Sequence, residues 1–419
     1  MMSSARQAKR VRQTTFALNK LAFSMLKSSD RKADFPYELQ KTMQSLGATY
    51  IKLGQLIASS PTIFPIEYVD AFQDCLDQTE KLPFSTIEKI LHKELGVRLK
   101  TGFRFVDPEP LASASIAQVH AAELIDGTKV VIKVQKPDVK QLLETDFQFI
   151  KFSTQLIEMI SPKTWKSSVS DIVDEIRNGM LEECDFRQEL SNIVEFNQFL
   201  QEQNLTTVVV PEVYRDLSTT KIITMERFFG VPLSDTEAVR RISNDPQFAL
   251  MQALDTWFLS LRKSQLYHAD LHAGNVMMLE DGRIGFIDFG IVGRLSDTTW
   301  KGITALGTCV PEQDFKGIAQ ALLNIGATDE KVNIDSFATD LKAIWDKLSS
   351  DDLLDDSDPE DFWKIVTMDF SKVSKRHGIR FPREFTLLVK QFLYFDRYMR
   401  LLAPDASMFD ESHLDLVLN

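Results

Sequence analysis

The pattern of apolar and polar positions changes period several times along this chain, and each change marks an element. From about residue 35 to 100 apolar residues recur at helical spacing, as in Tyr37-Glu-Leu-Gln-Lys-Thr-Met-Gln-Ser-Leu46, with Pro61 and Pro65 as punctuation. Ser85-Thr-Ile-Glu-Lys89, preceded by Pro83, has a capping-box pattern and predicts a helix start. Between about 103 and 134 the period becomes that of strands: Phe103, Phe105 and Val106, then Ile116 to Ala122, a turn at Asp126-Gly127, and Lys129 to Val134. A long helical stretch over roughly 138–203, broken near Ser161-Pro162, precedes strands at Val208–Pro211 and Lys221–Glu226, the second ended by Gly230. From 245 onward the pattern is mainly helical, apart from a short module between Asp270 and Asp288. The acidic run Asp351 to Asp361 reads as a solvated loop, and the last 120 or so residues, with Trp345, Trp363 and a helix around Phe385 to Leu402, read as helical core without chemistry.

The module that interrupts the helical pattern holds the densest signal. Val276-Met-Met-Leu279 and Ile284-Gly-Phe-Ile287 flank Glu280-Asp-Gly-Arg283, and Asp-Gly between two apolar runs is a strong hairpin cue. Such a hairpin sets Asn275 and Asp288 side by side at its open end, where one cation can bridge them. The residues leading in are His268-Ala-Asp270-Leu-His-Ala-Gly-Asn275, and those leading out are Asp288-Phe289-Gly290. Phosphoryl transfer needs groups positioned and charge neutralised more than it needs covalent help. An aspartate to orient the acceptor, with an asparagine and a second aspartate to hold Mg²⁺, supplies that equipment, and protein kinases space the same residues this way in H-R-D-L-x-x-x-N and D-F-G.

The other half of such a site is a cation for the nucleotide phosphates. Val130-Val-Ile-Lys133 matches the V-A-I-K strand pattern and puts Lys133 there. Its carboxylate partner is open among Glu182, Glu183, Asp185 and Glu189, all on one predicted helix; Glu183 and Glu189, six residues apart, point about 120° from each other and cannot serve the same lysine. No G-x-G-x-x-G precedes Lys133. The equivalent place holds Ala112, Ser113, Ala114 and Ser115, which either wind into a helical turn with amides aimed at an anion or form a tight strand connection. The expected architecture is α+β and two-lobed, protein-kinase-like, with the site at the junction. Its expected parts are a basic segment (1–34), a helical extension (35–100), a strand-bearing part with helices (101–230) and a helical part with the catalytic and metal loops (231–419).

Composition narrows the function. The chain has 419 residues and a net charge of −12, which argues against a nucleic-acid binder. Its three cysteines, Cys75, Cys184 and Cys309, form no disulfide or metal pattern, and a reducing, cytoplasm-like compartment is expected. No apolar run is long enough to span a membrane. The N-terminus is basic, with Arg6, Lys9, Arg10, Arg12, Lys20, Lys27, Arg31 and Lys32 against Asp30 alone up to residue 32, and Phe16, Leu18, Leu21, Phe23, Met25 and Leu26 among them. That composition suits peripheral membrane contact, an organelle transit peptide, or a solvated terminal helix.

These motifs together resemble the UbiB family of atypical kinases, which is linked to ubiquinone biosynthesis. Lys52-Leu-Gly-Gln55 matches the family's K-x-G-Q helix motif, Ala112 to His120 is similar to its alanine-rich loop, Glu183-Cys-Asp185 to its E-x-D motif, and His268 to Asn275 with Asp288 to Gly290 to its catalytic and metal loops. The match runs from about 45 to 300. Ser113 and Ala117 stand where the family commonly has alanine and glycine, and Leu271 and Ala273 where it commonly has prolines. The resemblance implies a helical extension packed over the cleft, Lys133 paired with Glu189, Lys52 paired with Glu183, Asp270 as catalytic aspartate and Asn275 and Asp288 as metal ligands. It also implies an adenine edge at Met225, Glu226 and Phe228, with ATP or ADP and Mg²⁺ as cofactors. A lipid or quinone-intermediate ligand and a biosynthetic complex are the partners it suggests.

Three readings of the chemistry stand. After Gly290 there is no long activation segment and no A-P-E triplet, and His268-Ala269-Asp270 lacks the arginine of H-R-D, so a platform for protein substrates is missing. ATP hydrolysis, or transfer to a small or lipid-like acceptor, is therefore expected over protein phosphorylation. A nucleotide-gated binding module without turnover is the second reading. A small-molecule kinase like the aminoglycoside and choline kinases is the third, and Lys52 to Gln55 argues against it. His272 occupies the place of the catalytic-loop lysine, as a phosphate contact or as loop packing.

Overall fold

The computed structural model describes residues 4–27, 31–58, 66–72, 81–160, 169–264, 266–272, 274–328, 331–348, 369–370, 372–404 and 406. The expectations at Pro61, Pro65, Cys75, Ser161-Pro162, Asp351 to Asp361 and Trp363 lie outside the described residues. The chain forms two compact units. One comprises Met1–Ser59, Phe64–Ser191 and Glu212–Arg227, and the other Ser60–Ile63, Asn192–Pro211 and Phe228–Asn419.

The first unit opens with helices α1 (Ser4–Lys27), α2 (Arg31–Leu46), α3 (Ala48–Ala58) and α4 (Ile66–Phe72). Helices α5 (Phe84–Leu95) and α6 (Val97–Gly102) lead into strands β1 (Phe103–Ser113), β2 (Ala117–Leu124) and β3 (Lys129–Gln135). Helices α7 (Val139–Ile160), α8 (Val169–Glu182) and α9 (Phe186–Glu202) follow, the unit boundary falling within α9. Strand β4 (Val208–Val209) belongs to the second unit, and β5 (Ile222–Glu226) returns to the first as the outer strand of an antiparallel sheet ordered β1-β2-β3-β5. Gly127, at φ +95°, makes the β2–β3 turn, where a side chain would be strained. One face of α5, with Ile87, Leu91 and Leu95 four residues apart, packs on Phe103, Leu124, Val130, Ile132, Val134 and Ile222. Burial on that scale stabilises by roughly 1.5–3 kcal/mol for each large aliphatic side chain.

Several sequence expectations need correcting here. Helix α5 begins at Phe84 with Pro83 as its cap and no side-chain cap bond, so the Ser85 capping box is not made. The helix expected to carry Glu182, Glu183, Asp185 and Glu189 together is two helices. The chain leaves α8 at Glu182 and restarts at Phe186, where the Asp185 carboxylate accepts the N–H of Arg187 at 3.1 Å. The basic N-terminal helix is largely exposed but tethered at one point. The Arg10 guanidinium donates to both carboxylate oxygens of Asp146 on α7, at 2.8 and 2.7 Å, and Asp146 is buried. Phe16 and Phe23 on the same helix remain exposed.

The second unit contains β6 (Gly230–Pro232), α10 (Thr236–Ile242), α11 (Pro246–Lys263), β7 (Leu266–His268), β8 (Val276–Leu279), β9 (Ile284–Phe286) and β10 (Val292–Arg294). Helices α12 (Asp297–Cys309) and α13 (Phe315–Ile325), strand β11 (Ala327–Thr328), helix α14 (Ile334–Leu348), strand β12 (Ile379–Arg380) and helix α15 (Arg383–Leu402) complete it. Strands order as β4-β9-β8-β6, and β7 pairs with β10. Gly230 does not end β5, which stops at Glu226; it opens β6 and lies so close to β8 that a Cβ would sit 2.2 Å from the Met278 carbonyl oxygen. Among the described residues no helix is long and apolar enough to cross a membrane.

Candidate active site

In the first unit Lys133 sits on β3, opposite Ile223 of β5, with Val134 and Ile132 turned into the core. The alternation of the strand therefore leaves the Lys133 side chain on the other face. Its ammonium donates to Glu189 Oε1 at 2.7 Å, both groups are buried (9% and 5% exposed), and the Phe186 ring lies 5.6 Å from the charge. Lys52 of α3 pairs with Glu183, which lies between α8 and α9. The amide of Gln135 holds that junction through the Cys184 carbonyl at 2.8 Å. Burial pushes the Cys184 thiol up to about 11, so it stays protonated near neutral pH. The two lysines thus take different carboxylates, as the resemblance implied, though for a different geometric reason than divergence along one helix.

The Ala112 to Ser115 segment is a strand connection, not a helical turn. Ala112 and Ser113 still pair with Val119 and Gln118, which leaves only Ala114, Ser115 and Ile116 to reverse the chain, and the Ala114 N–H donates to the Ala117 carbonyl at 2.9 Å. The hydroxyl of Ser115 is buried and has no hydrogen-bond partner among the described residues. Glu226 ends β5, opposite Val130, and accepts the Glu212 N–H at 3.2 Å. Met225 beside it is buried. Phe228 begins the second unit's share of the chain, and its ring lies against Gly285 of β9, where a Cβ would come within 2.8 Å of it.

In the second unit the β8–β9 hairpin forms as its sequence indicates, with Gly282 at φ +85° in the turn and Val276 opposite Phe286. The Ile287 N–H donates to the Asn275 carbonyl at 2.9 Å, so the strand pair brings Asn275 and Asp288 to the same open end. Asp288 itself adopts φ +60°, a left-handed conformation that aspartate tolerates better than most residues, and its carboxylate accepts the Gly290 N–H at 3.2 Å. The Asn275 amide nitrogen donates to the Asp270 carbonyl at 2.8 Å, which turns its oxygen away as a donor for a cation. An amide oxygen and a carboxylate are the hard ligands Mg²⁺ prefers, so these residues fit that ion. No group of three or more His, Cys, Asp or Glu suited to a metal occurs among the described residues, and a kinase-type site completes its shell with phosphate oxygens and water.

The loop between β7 and β8 is held from beneath. His268 is buried; its Nδ1 accepts the Asp270 N–H at 3.1 Å, so its Nε2–H donates to the Ile287 carbonyl at 3.2 Å. Burial pushes its pKa down to about 4, and it is neutral at physiological pH. Trp257 Nε1–H donates to the His268 carbonyl at 3.0 Å. His272 Nδ1 accepts the Gly274 N–H at 3.0 Å, which is the loop-packing role, and its Nε2 is 3.7 Å from Asp270 Oδ2.

One contact to Asp270 has no counterpart in the sequence pattern. Helix α15, expected to be core without chemistry, places Lys390 Nζ 3.0 Å from Asp270 Oδ1. Next to it, fully buried Gln391 accepts the Leu271 N–H at 2.8 Å and donates to the Ala269 carbonyl at 2.7 Å. The Tyr398 hydroxyl donates to the Leu271 carbonyl at 2.9 Å. Burial pushes the Asp270 carboxyl up, but the attraction of Lys390 and then of His272 outweighs it, so the group lies below the usual carboxylate range. The Lys390 ammonium, conversely, is held above its ordinary value despite burial, chiefly by Asp270. No local pattern around residue 390 signals this, because the contact spans 120 residues.

Comparison with known proteins gives the family and the fold. Residues 74–322 match the ABC1 atypical kinase-like domain, and the chain belongs to that family. It is 42% identical to an uncharacterised aarF domain-containing protein kinase of Arabidopsis thaliana, described as chloroplastic, over 92% of this chain and 75% of that one. It is 26% identical to a probable protein kinase UbiB of Histophilus somni, over 93% and 72% of the two chains. Among solved structures, a Mycobacterium tuberculosis protein determined as a complex with erythromycin superposes with a TM-score of 0.57 at 22% identity, covering 83% of this chain and 87% of that one. The fold is therefore the mixed helix-and-strand, kinase-like one expected, and the family supports a kinase-like role.

Proposed function

We propose that this chain binds Mg-ATP and hydrolyses it, or transfers its terminal phosphoryl group to a small or lipid-like acceptor, in support of isoprenoid-quinone or other lipid metabolism. The observation that carries the reading is the buried Lys133–Glu189 pair at 2.7 Å. A lysine and a carboxylate are seldom buried without reason, since desolvating them costs several kcal/mol per ion. A nucleotide's phosphates supply the reason, because a lysine held on a strand by a helix glutamate is the cation that engages them. The unpartnered, buried hydroxyl of Ser115 fits the same ligand, as a donor for a phosphate oxygen. Lys52 and Glu183 would hold the K-x-G-Q helix in place.

In the second unit, Asn275 and Asp288 would hold Mg²⁺, which on binding would neutralise charge on the phosphates. Asp270 would orient the accepting group or water and take up its proton. The neutral His268 would keep the Asp270 backbone in register with the strand that leads to Asp288. The exposed Phe16 and Phe23 beside Lys20 suit shallow contact with an anionic membrane, while Arg10 is committed to Asp146.

Phosphate release from Mg-ATP, measured with the purified full chain, tests this directly. The expected result is a basal rate that rises with anionic liposomes or phenolic quinone precursors and is absent in Asp288→Asn. The alternative is nucleotide binding without turnover; tight ADP binding with phosphate release equal to that of Asp288→Asn under every lipid condition would establish it instead.

A further inference from the structure

Ordinary kinases carry a lysine two residues beyond the catalytic aspartate. Here that position is His272, and its Nδ1 is already occupied by the Gly274 N–H, while its Nε2 stays 3.7 Å from Asp270, beyond a hydrogen bond. The cation that does reach Asp270 comes from the far end of the chain. Lys390 Nζ donates to Asp270 Oδ1 at 3.0 Å and lies 5.4 Å from the centre of the Tyr394 ring. The two side chains are 20% and 18% exposed, so the pair is sheltered but open to an incoming molecule. The same face of α15 fixes the backbone on both sides of the aspartate, Gln391 through Ala269 and Leu271, and Tyr398 through Leu271. Residues 390, 391, 394 and 398 thus form a single stripe devoted to the catalytic loop.

From this arrangement we infer that Lys390 is a positioning residue for Asp270, replacing from the C-terminal helix the cation that other kinases place within the loop; the inference rests on the phosphoryl-transfer reading above. A carboxylate turns easily about its terminal torsion, which has only a broad, two-fold preference. A charge-assisted bond to one oxygen removes that freedom and fixes where the other, Oδ2, lies, 3.7 Å from His272 Nε2 and too far for a hydrogen bond to it. His272 keeps the loop folded and does not take this part. Because a displacement of about 1 Å at a reacting group costs on the order of 10²-fold in rate, loss of the tether affects turnover far more than nucleotide binding.

The test uses the full chain as Lys390→Met and Lys390→Arg, with three readouts: steady-state phosphate release from Mg-ATP, the thermal midpoint, and the carboxylate ¹³C resonance of Asp270, assigned with Asp270→Asn. The expected result is a fall in kcat of at least about tenfold in Lys390→Met, with the KM for ATP changed less than about twofold. Lys390→Arg should recover most of the lost rate, and the Asp270 resonance should shift or broaden in the methionine variant alone. An unchanged kcat overturns the proposal, as does a loss that tracks the thermal midpoint and that arginine does not repair. If the wild type releases no phosphate, the nucleotide-turnover reading fails on its own account. The resonance then decides: a peak unmoved by Lys390→Met overturns the tether, and one that moves establishes it.

Discussion

Two lysine–carboxylate pairs of similar length behave as different objects in this protein. Lys133–Glu189, at 2.7 Å, is 9% and 5% exposed, whereas Lys390–Asp270, at 3.0 Å, is 20% and 18% exposed. The first is held between a sheet and a helix, so its geometry is set by the fold. The second joins a loop to one helix, with the other carboxylate oxygen 3.7 Å from His272 Nε2. Burial therefore separates a pair fixed by the fold from one that stays partly open to solvent.

Removing one partner should expose that difference. Glu189→Gln leaves a buried ammonium without its counter-charge, and we expect a loss of about 3–5 kcal/mol, read from urea unfolding. A loss below about 1 kcal/mol would place Lys133 in contact with water and dissolve the contrast with Lys390.

The next effect concerns the floor of the catalytic loop. His268 has a folded-state pKa of about 4, below its ordinary value, so the unfolded chain binds the extra proton first. Stability is then complete above about pH 6.5 and falls as pH drops toward 4, by at most about 1.4 kcal/mol per pH unit. Chemical denaturation across that range should show the slope, and His268→Gln should flatten it. An unchanged slope in the variant would assign the acid sensitivity to other groups.

Gln391→Leu should cost somewhat less, about 1–3 kcal/mol, because it strands the Leu271 N–H and the Ala269 carbonyl. Hydrogen exchange at Leu271 should accelerate in the same variant, and protection equal to the wild type would contradict the role of α15 as the loop's support. At the small end, Ser85→Ala should change stability by less than a few tenths of a kcal/mol, since no cap bond is lost. A true N-cap would cost about 1 kcal/mol.

The contrast also explains what was legible in the sequence. The turns at Asp126-Gly127 and Asp281-Gly282 were readable because glycine at positive φ is a local requirement, and the hairpin carrying Asn275 and Asp288 followed from them. Lys133 was readable from its strand. The split at Cys184 was missed because helical periodicity runs through it, although Asp185 followed three residues later by Gln188 is itself a helix-start signal. The tight Ala114–Ala117 connection and the α5 cap turned on which backbone groups found partners, and composition leaves that undetermined. Lys390 could not have been found, since nothing near it differs from an ordinary amphipathic helix and its partner lies 120 residues away.

The most direct test of the account is thermal unfolding with and without Mg-ATP and Mg-ADP, in the wild type and in Asp288→Asn. A ligand at a hundred times its dissociation constant adds about 2.7 kcal/mol, enough to raise the midpoint by a few degrees. The account predicts a magnesium-dependent rise in the wild type that is lost in Asp288→Asn. No rise in the wild type, or one of equal size in both proteins, would contradict it.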